Sequence, residues 1–150
     1  MSALRIRVRR VGSIEVPLPS YQTRGSAGLD LCAAIDAPIE LACGERRLVP
    51  TGVALAIPPG YEGQVRPRSG LARSAGVTVL NSPGTIDSDF RGMIGVVLVN
   101  LGQTPVVIEP LERIAQLVVA PVLVAELVLV DELDETERGG GGYGSTGRSS

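Results

Sequence analysis

Residues 4–9 read Leu-Arg-Ile-Arg-Val-Arg, so apolar and charged side chains alternate without a break. Successive side chains of a β-strand point to opposite faces, and this pattern therefore predicts a half-buried strand. Short apolar runs rich in Val and Ile recur between turn residues along the rest of the chain, which favours further strands over helices. They lie at 28–34, 48–57, 62–66, 77–80, 93–101, 105–108, 114–124 and 126–130.

A single short segment is predicted to be helical. The chain holds 19 Gly and 11 Pro in 150 residues, a density that breaks long helices and suits short strands joined by tight turns. A helix fits from Ser69 to Ala75, where Ser69 would cap the start and Gly76 would close the end in the left-handed conformation. The sequence therefore predicts an all-β fold, a jelly-roll-like β-barrel or sandwich with one short helix.

The C-terminal residues differ in composition from the rest of the chain. Five of the seven residues at 131–137 are acidic, and Arg138 and four glycines follow them. Because glycine loses the most backbone entropy on ordering, this segment is not expected to pack a core. Composition alone favours a disordered tail, whereas Arg, Ser and Thr among the glycines favour a mobile loop that covers phosphate. We predict a β-rich domain at 1–130 and a flexible glycine-rich tail at 131–150.

Composition excludes several kinds of chemistry. The chain contains no His, so a His general base and a His-ligated zinc site are excluded. Its two cysteines, Cys32 and Cys43, are too few for a Cys-only zinc site. They could form one disulfide, but an apolar chain of this length does not need a disulfide framework, and two buried free thiols in a reducing cytosol are favoured.

Charge and hydropathy argue against two classes of partner. All 14 basic residues are Arg and the net charge is −2, which argues against general binding of nucleic acid or of a membrane surface. No apolar signal segment opens the chain, and the most apolar stretch, 114–130, is broken by Pro121. We therefore expect a soluble, cytoplasmic protein. The net charge does not exclude a small phosphorylated ligand, because a few Arg side chains can cluster at one site.

Two segments carry candidate site chemistry. In the first, Pro67 precedes Arg68 and Ser69 at the predicted helix start, where an Arg, a hydroxyl and unpaired N–H groups suit an anion; an ordinary capped helix is the alternative. The second, 81–92, lies between two strand-like runs and holds the chain's only Phe, Phe90. It could form a slot in which backbone groups bind a flat polar ring, or be a plain surface loop. Its two acids, Asp87 and Asp89, are candidate bases.

Single polar residues interrupt two apolar strands. Asp30 lies in the first, and Gln116 lies in the second. Either residue alone is weak evidence, but together with the other segments they form an ordered series. The five segments resemble the five ordered motifs of the trimeric dUTP nucleotidohydrolases (dUTPases) over nearly the whole chain. They are Ala27-Gly-Leu-Asp-Leu-Cys-Ala-Ala34, Arg66-Pro-Arg-Ser-Gly-Leu-Ala72, Gly84-Thr-Ile-Asp-Ser-Asp-Phe-Arg-Gly92, Arg113-Ile-Ala-Gln-Leu117 and Arg138-Gly-Gly-Gly-Gly-Tyr-Gly-Ser-Thr-Gly147.

The resemblance implies a homotrimer with three active sites at subunit interfaces. It also implies Mg²⁺-dependent hydrolysis of dUTP to dUMP and pyrophosphate, which limits uracil in DNA and supplies dUMP for thymidylate synthesis. In such enzymes the Asp of the Gly-x-Ile-Asp motif activates the water, which here is Asp87, and Asp30 would anchor the hydrated Mg²⁺. Phosphate-binding roles would fall on Arg68, Ser69, Gly70 and Gln116.

The resemblance also assigns residues to the nucleoside. Asn81 and the backbone around Thr85, Ile86 and Gly95 would bind uracil. Phe90 would pack on the deoxyribose in a motif where the family usually has Tyr, so the ring is kept and the hydroxyl is lost.

The tail would close over the nucleotide. Arg138, Ser145 and Thr146 would lie on the triphosphate, and Tyr143 would place a ring over the base where the family usually has Phe. Two alternatives stay open from the sequence: a dCTP deaminase-like enzyme of the same fold, and a non-catalytic trimeric β-module that binds nucleotides.

Overall fold

The structure is a computed structural model and describes residues 4–142. These residues form eleven strands and one helix. In chain order they are β1 (Arg7–Arg10), β2 (Gly28–Cys32), β3 (Ile39–Leu41), β4 (Arg46–Pro50), β5 (Val53–Ala56), β6 (Tyr61–Arg66), α1 (Ser69–Ala75), β7 (Val77–Val79), β8 (Gly84–Ile86), β9 (Gly95–Asn100), β10 (Val106–Ile108) and β11 (Arg113–Pro121).

The strands form four antiparallel sheets. The largest has the order β2-β11-β6-β8, a second has the order β4-β9-β7, and two small sheets pair β1 with β5 and β10 with β3. Each sheet contributes buried Val, Leu, Ile or Ala side chains to one core. Alternation along β2 illustrates the principle: Leu31 is buried in the core, while Asp30 lies on the opposite face of its sheet. The predicted all-β fold with one short helix is confirmed.

Helix α1 spans the predicted residues, Ser69–Ala75. Gly76 ends it with φ of 69°, and its N–H donates to the carbonyls of Ala72 and Leu71, as the left-handed end requires. The predicted cap was wrong, because Arg68 occupies the cap position and no side chain caps the helix. Ser69 is instead the first helical residue.

Several predicted strands differ from those observed. The N-terminal strand is Arg7–Arg10, which pairs only with β5 in the described chain, and all four of its residues are exposed, so the predicted half-buried strand was wrong for these residues. Ile6, just before the strand, is the residue that packs against the core. The run at 48–57 is divided between β4 and β5. The run at 126–130 forms no strand, since no neighbouring strand of the described chain pairs with it. The strands β3 and β8 were missed because neither is a continuous apolar run: β3 reads Ile-Glu-Leu and β8 reads Gly-Thr-Ile.

The two cysteines are both free thiols, as favoured, but they are not both buried. Cys32 is partly buried on β2, whereas Cys43 is exposed next to the β3 end, in the turn that leads to β4. Among residues 4–142 there is no helix long and apolar enough to cross a membrane.

Candidate active site

The segment at 81–92 lines a pocket of about 200 Å³, here called the edge pocket. Within this segment β8 pairs with β6, while β7 and β9 on either side belong to the other large sheet. The segment therefore crosses from one sheet to the other, and the pocket lies between them at their edge. Its lining residues are Val65, Val79, Asn81, Gly84, Thr85, Ile86, Phe90, Ile94, Gly95 and Val97.

Two strand edges supply main-chain groups at this pocket. In the described chain β8 pairs with β6 alone, so its outer edge has no partner strand. Strand β9 extends beyond β7: the β7 ladder ends at Val79, so Gly95 and Val96 pair with β4 alone. A free strand edge presents N–H and C=O groups in a row. The edge pocket can therefore bind a flat polar ring through backbone groups, with apolar contacts from its walls.

The Asn81 side chain lies close to the backbone of Gly84 at this pocket. A Cβ built on Gly84 would lie 3.2 Å from Nδ2 of Asn81, which is tighter than an ordinary van der Waals contact. The missing side chain at Gly84 thus lets the Asn81 amide approach the start of β8. Phe90, which is 42% exposed, adds an aromatic ring at the pocket wall.

Two carboxylates follow β8. Asp87 comes directly after Ile86 and opens a turn in which its carbonyl accepts the Phe90 N–H at 3.2 Å. Arg91 stiffens the same turn by donating from Nη1 to the carbonyls of Ser88 and Phe90 at 2.6 and 2.8 Å. Asp87 and Asp89 are both exposed, and neither forms an ion pair within residues 4–142. Asp87 is thus an unengaged carboxylate one residue beyond the edge pocket.

A second pocket, of about 280 Å³, collects charged and polar side chains and is here called the polar pocket. It lies where β2 and β11 meet the start of α1. It is lined by Gln22, Ser26, Ala27, Gly28, Asp30, Arg68, Ser69, Gly70 and Gln116.

Asp30 is the centre of an ionic cluster at this pocket. Its Oδ1 lies 3.3 Å from Nε of Arg68, and its Oδ2 accepts a hydrogen bond from Nη1 of Arg113 at 3.1 Å. The Asp30 side chain is only 12% exposed, so solvent screens these pairs less than surface pairs. Arg68 Nη1 also donates to the Arg113 carbonyl at 3.0 Å. The Asp30 carboxylate faces the interior of this cluster and not open solvent.

The cluster changes the acidity of a neighbouring thiol. Burial raises the pKa of Cys32, and the negative charge of Asp30 raises it further, while Arg113 and Arg68 act in the opposite direction. A thiol with a raised pKa is a poor nucleophile at neutral pH, so Cys32 is not a candidate catalytic residue.

The Gln116 side chain contacts residues on both sides of β11. Gln116 pairs with Asp30 in the ladder between β11 and β2, and its Nε2 donates to the Pro67 carbonyl at 3.0 Å. Its side chain lies against Gly28, where any Cβ would collide with the Gln116 amide oxygen. Gly28 therefore allows Gln116 to reach the polar pocket.

The two pockets share no lining residue. The polar pocket involves β2 and β11, and the edge pocket involves β8, at the opposite end of the order β2-β11-β6-β8. Neighbouring strands lie about 4.8 Å apart, so β2 and β8 are separated by about 14 Å. One chain thus presents two pockets of different chemistry at two separate places.

Comparison with known proteins identifies the family. A family model described as dUTPase matches residues 14–147. The chain belongs to the dUTPase family. A deoxyuridine 5'-triphosphate nucleotidohydrolase of Anaeromyxobacter sp. (strain Fw109-5) is 64% identical over 145 residues, which are 95% of this chain and 97% of that protein. One from Methylocella silvestris is 59% identical over 147 residues, covering 96% of this chain and 92% of that protein.

Solved structures agree with this assignment. The dUTPase of Staphylococcus bacteriophage 80alpha, solved with dUPNHPP, has a TM-score of 0.87 and 27% identity, covering 97% of this chain and 99% of that one. A G164S mutant of the 80alpha dUTPase, with dUpNHpp, has a TM-score of 0.86. The jelly-roll-like dUTPase fold expected from the sequence is thereby confirmed.

Ten of the residues assigned by the resemblance divide between the two pockets according to their expected ligand. Those expected to bind uracil or sugar, Asn81, Thr85, Ile86, Phe90 and Gly95, all line the edge pocket. Those expected to bind phosphate or metal, Asp30, Arg68, Ser69, Gly70 and Gln116, all line the polar pocket.

The described part of the tail motif, 138–142, lines neither pocket. Arg138 lines neither, and its Nε donates to the Gly141 carbonyl at 2.8 Å. Tyr143, Ser145 and Thr146 lie outside the described residues.

Two residues of the polar pocket region were missed from the sequence. Gly28 had a signal, because a glycine inside a strand marks a close approach of another group. Arg113 had none: it lies three residues before Gln116, and strict alternation would place the two on opposite faces of β11.

Proposed function

We propose that this protein hydrolyses dUTP to dUMP and pyrophosphate, with the edge pocket binding the deoxyuridine and the polar pocket binding the phosphates. One observation carries the proposal: within a dUTPase-family chain, ten residues to which the resemblance assigns substrate or metal divide between an uncharged pocket with free strand edges and a pocket with an Arg-rich cluster. The first suits a base and the second suits a polyanion.

Base recognition would rest on the backbone of β8 and β9. No charged side chain lines the edge pocket, so a neutral pyrimidine ring that binds there leaves no charged group without a partner. Main-chain donors and acceptors held by strand register select a ring by its pattern of hydrogen bonds, because an unmatched buried polar group is costly. The Phe90 ring would cover the apolar face of the deoxyribose, where an extra hydroxyl would lack a partner.

Phosphate binding would rest on Arg68, Ser69, Gly70 and Gln116. The Arg68 and Arg113 charges exceed that of Asp30, so the cluster carries a net positive charge that favours an anion. Charge near the transferred phosphoryl group also stabilises the transition state of phosphoryl transfer.

The residues fit Mg²⁺ as a largely hydrated ion. Among residues 4–142 there is no group of three or more His, Cys, Asp or Glu that could hold a metal, and Asp30 is a single carboxylate already paired with two Arg. Mg²⁺ commonly keeps several waters and binds one or two carboxylates plus substrate phosphates. Asp30 would hold it through water, and the ion would neutralise the charge of the triphosphate.

Asp87 would act as the general base. It is exposed, has no ion-pair partner among the described residues and directly follows the edge pocket, so its carboxylate is available to accept a proton from water. The water oxygen forms a new bond to phosphorus, the bond between the α- and β-phosphates breaks, and pyrophosphate leaves.

A trimer would complete this site. Apolar side chains after β11 have nothing to pack against in one chain: Leu123 is 97%, Leu127 95% and Leu129 100% exposed. Several exposed leucines in one segment indicate that it packs against another protein surface. The separation of the two pockets across the sheet also favours sites built between subunits of a closed ring. We propose a homotrimer in which the tail from Arg138 onward closes a site on a neighbouring subunit.

The activity is tested with purified protein and dUTP. We expect pyrophosphate and dUMP from dUTP, lower turnover after Mg²⁺ chelation, and no ammonia from dCTP. Ammonia release from dCTP would instead indicate a deaminase of the same fold, and binding of dUTP without turnover would indicate a nucleotide-binding module.

The assembly is tested by mass and by complementation. Light scattering should give three times the 15.6 kDa of one chain. Asp87→Asn chains refolded with chains truncated after Glu137 at equal ratio should recover roughly a quarter of wild-type activity if base and tail come from different subunits. Activity that stays at the level of the separate variants, despite proven subunit exchange, would contradict the proposal.

A further inference from the structure

A charged residue that does not line the polar pocket lies directly behind its wall. Arg113 does not line the pocket, yet it touches two residues that do. Its Nη1 donates to Oδ2 of Asp30 at 3.1 Å, and its carbonyl accepts a hydrogen bond from Nη1 of Arg68 at 3.0 Å. Asp30 Oδ1 in turn lies 3.3 Å from Nε of Arg68. The three residues close a ring of contacts around one edge of the Arg68 guanidinium.

This ring restrains the side chain that faces the ligand. An unrestrained Arg loses rotamer freedom on binding, and that loss opposes affinity. On the protein side, Nη1 of Arg68 donates one hydrogen bond to the Arg113 carbonyl, and Nε forms an ion pair with Asp30; the two contacts together restrain the guanidinium. The remaining N–H groups of the Arg68 guanidinium then point in one fixed direction. Coplanar donors held in this way match the oxygens of a phosphate.

A β-bulge makes this arrangement possible. The ladder between β11 and β2 pairs Gln116 with Asp30 and Ala115 with Leu31, and it then shifts to pair Arg113 with Cys32. Ile114 and Ala115 are both buried as a result. A bulge re-aims the side chains beyond it. Arg113 is therefore on the same face as Asp30, where strict alternation from Gln116 would have turned it to the core.

We propose that Arg113 is a positioning residue for phosphate binding, which orients Arg68 both through Asp30 and through its own carbonyl. The inference rests on the proposed function and deepens it, because it assigns to the phosphate side of the site a residue that need not touch the substrate. It also gives Asp30 a second role beside the one toward Mg²⁺.

The test measures binding separately from turnover. We would measure the affinity for the imido analogue of dUTP by calorimetry, and kcat and KM for dUTP, in wild type, Arg113→Gln and Arg113→Lys. For Arg113→Gln we expect affinity to fall about tenfold, the effect of losing one charge-assisted hydrogen bond, and KM to change more than kcat. Arg113→Lys keeps a cation beside Asp30 and should recover most of the affinity. Arg73→Gln removes the same charge from α1 outside the polar pocket and should leave affinity unchanged.

A double-mutant cycle separates positioning from direct contact. If Arg113 acts through Arg68, then Arg113→Gln should add almost nothing to the loss caused by Arg68→Gln. Losses that add would overturn the inference, because they would mean that Arg113 binds the phosphates itself. The same measurements with a metal chelator should show the same tenfold loss for Arg113→Gln, and a loss that disappears without Mg²⁺ would overturn it as well.

The outcomes also distinguish this inference from the proposed function. A wild-type protein that does not bind the imido analogue would count against the proposed function itself. A wild-type protein that binds it, with Arg113→Gln unchanged, would overturn only the positioning role. If Arg113→Gln lowers the thermal transition, the test uses Arg113→Lys instead. An Arg113→Lys variant that binds the imido analogue as weakly as Arg68→Gln would overturn the positioning role.

Discussion

The edge pocket and the polar pocket differ in what holds their binding groups in place. At the edge pocket the groups are main-chain atoms of β8 and β9, and the register of two sheets sets their positions. At the polar pocket the groups are side chains, and a network of ion pairs and hydrogen bonds holds them. Under the proposed function, recognition of the base would depend mainly on the fold as a whole, whereas phosphate binding would depend on a few replaceable contacts.

This difference predicts how each pocket responds to substitution. Apart from Asn81, a side-chain change at the edge pocket should remove little, because most of the polar groups proposed to bind the base belong to the backbone. A side-chain change in the polar pocket removes a charge or a donor and leaves its partner unpaired, which costs more than the contact itself. Asp30, Arg68 and Arg113 are therefore expected to be the sensitive points, with one exception beside the edge pocket.

That exception is Asp87, for which we predict the largest effect. Asp87→Asn keeps the shape of the side chain and removes the proton acceptor, so kcat should fall by about 10² to 10⁴ while the imido analogue of dUTP still binds. Asp89→Asn is the matched control, because it removes another exposed carboxylate from the same turn. A larger loss of kcat for Asp89→Asn would show that the assignment of the base is wrong.

Removal of the tail should produce the next largest effect. Truncation after Glu137 deletes Arg138 and everything that follows, and we expect turnover to fall by about a hundredfold because closure and positioning of the phosphates are lost. The thermal transition should stay within a degree or two of wild type. A truncated protein that turns over dUTP at the full rate would remove the tail from the site and leave the two pockets alone to bind the substrate.

Sequence reasoning located five lining residues of each pocket but not how the two pockets are arranged. Helix α1 was predicted with its observed bounds, since Gly76 stops it in a conformation that few other residues adopt. The motif residues were also grouped as the pockets group them. Their separation across the sheet was not predictable, because it depends on the long-range pairing of β8 with β6, and a three-residue strand carries no period of its own.

The contact of Arg113 with Asp30 was unpredictable for a different reason. A single extra residue at the bulge reverses which face a side chain occupies, and no composition rule marks a bulge made of Ile114 and Ala115. Asp30 itself was expected to anchor a hydrated Mg²⁺, and its two Arg partners come from the residue before α1 and from β11. Ionic clusters that join distant parts of a chain become visible only once the strands are paired.

Two glycine substitutions compare the pockets directly. A Cβ at Gly28 would push aside the tip of Gln116, which is flexible, so Gly28→Ala should fold but lose Gln116 from the polar pocket. We expect about tenfold weaker binding of the imido analogue and unchanged binding of deoxyuridine. A Cβ at Gly84 would press on Asn81 at 3.2 Å and on Cβ of Val65 at 3.4 Å, so Gly84→Ala should weaken both ligands by the same few-fold factor. Equal behaviour of the two variants would contradict the division of labour between the pockets.

The smallest predicted effect concerns the two thiols and tests the buried side of the Asp30 cluster. The pKa of Cys32 is raised by burial and by the Asp30 charge, so at pH 8 less of it is thiolate than its ordinary value implies, and its side chain is partly covered. Cys43 is exposed. Iodoacetamide should therefore modify Cys32 several-fold more slowly than Cys43, as followed by peptide mass spectrometry. In denaturant both should react at similar rates, because burial and the Asp30 charge are then lost. Faster modification of Cys32 in the native protein would mean that β2 beside Asp30 is open to solvent, and the restrained cluster behind the polar pocket would lose its physical basis.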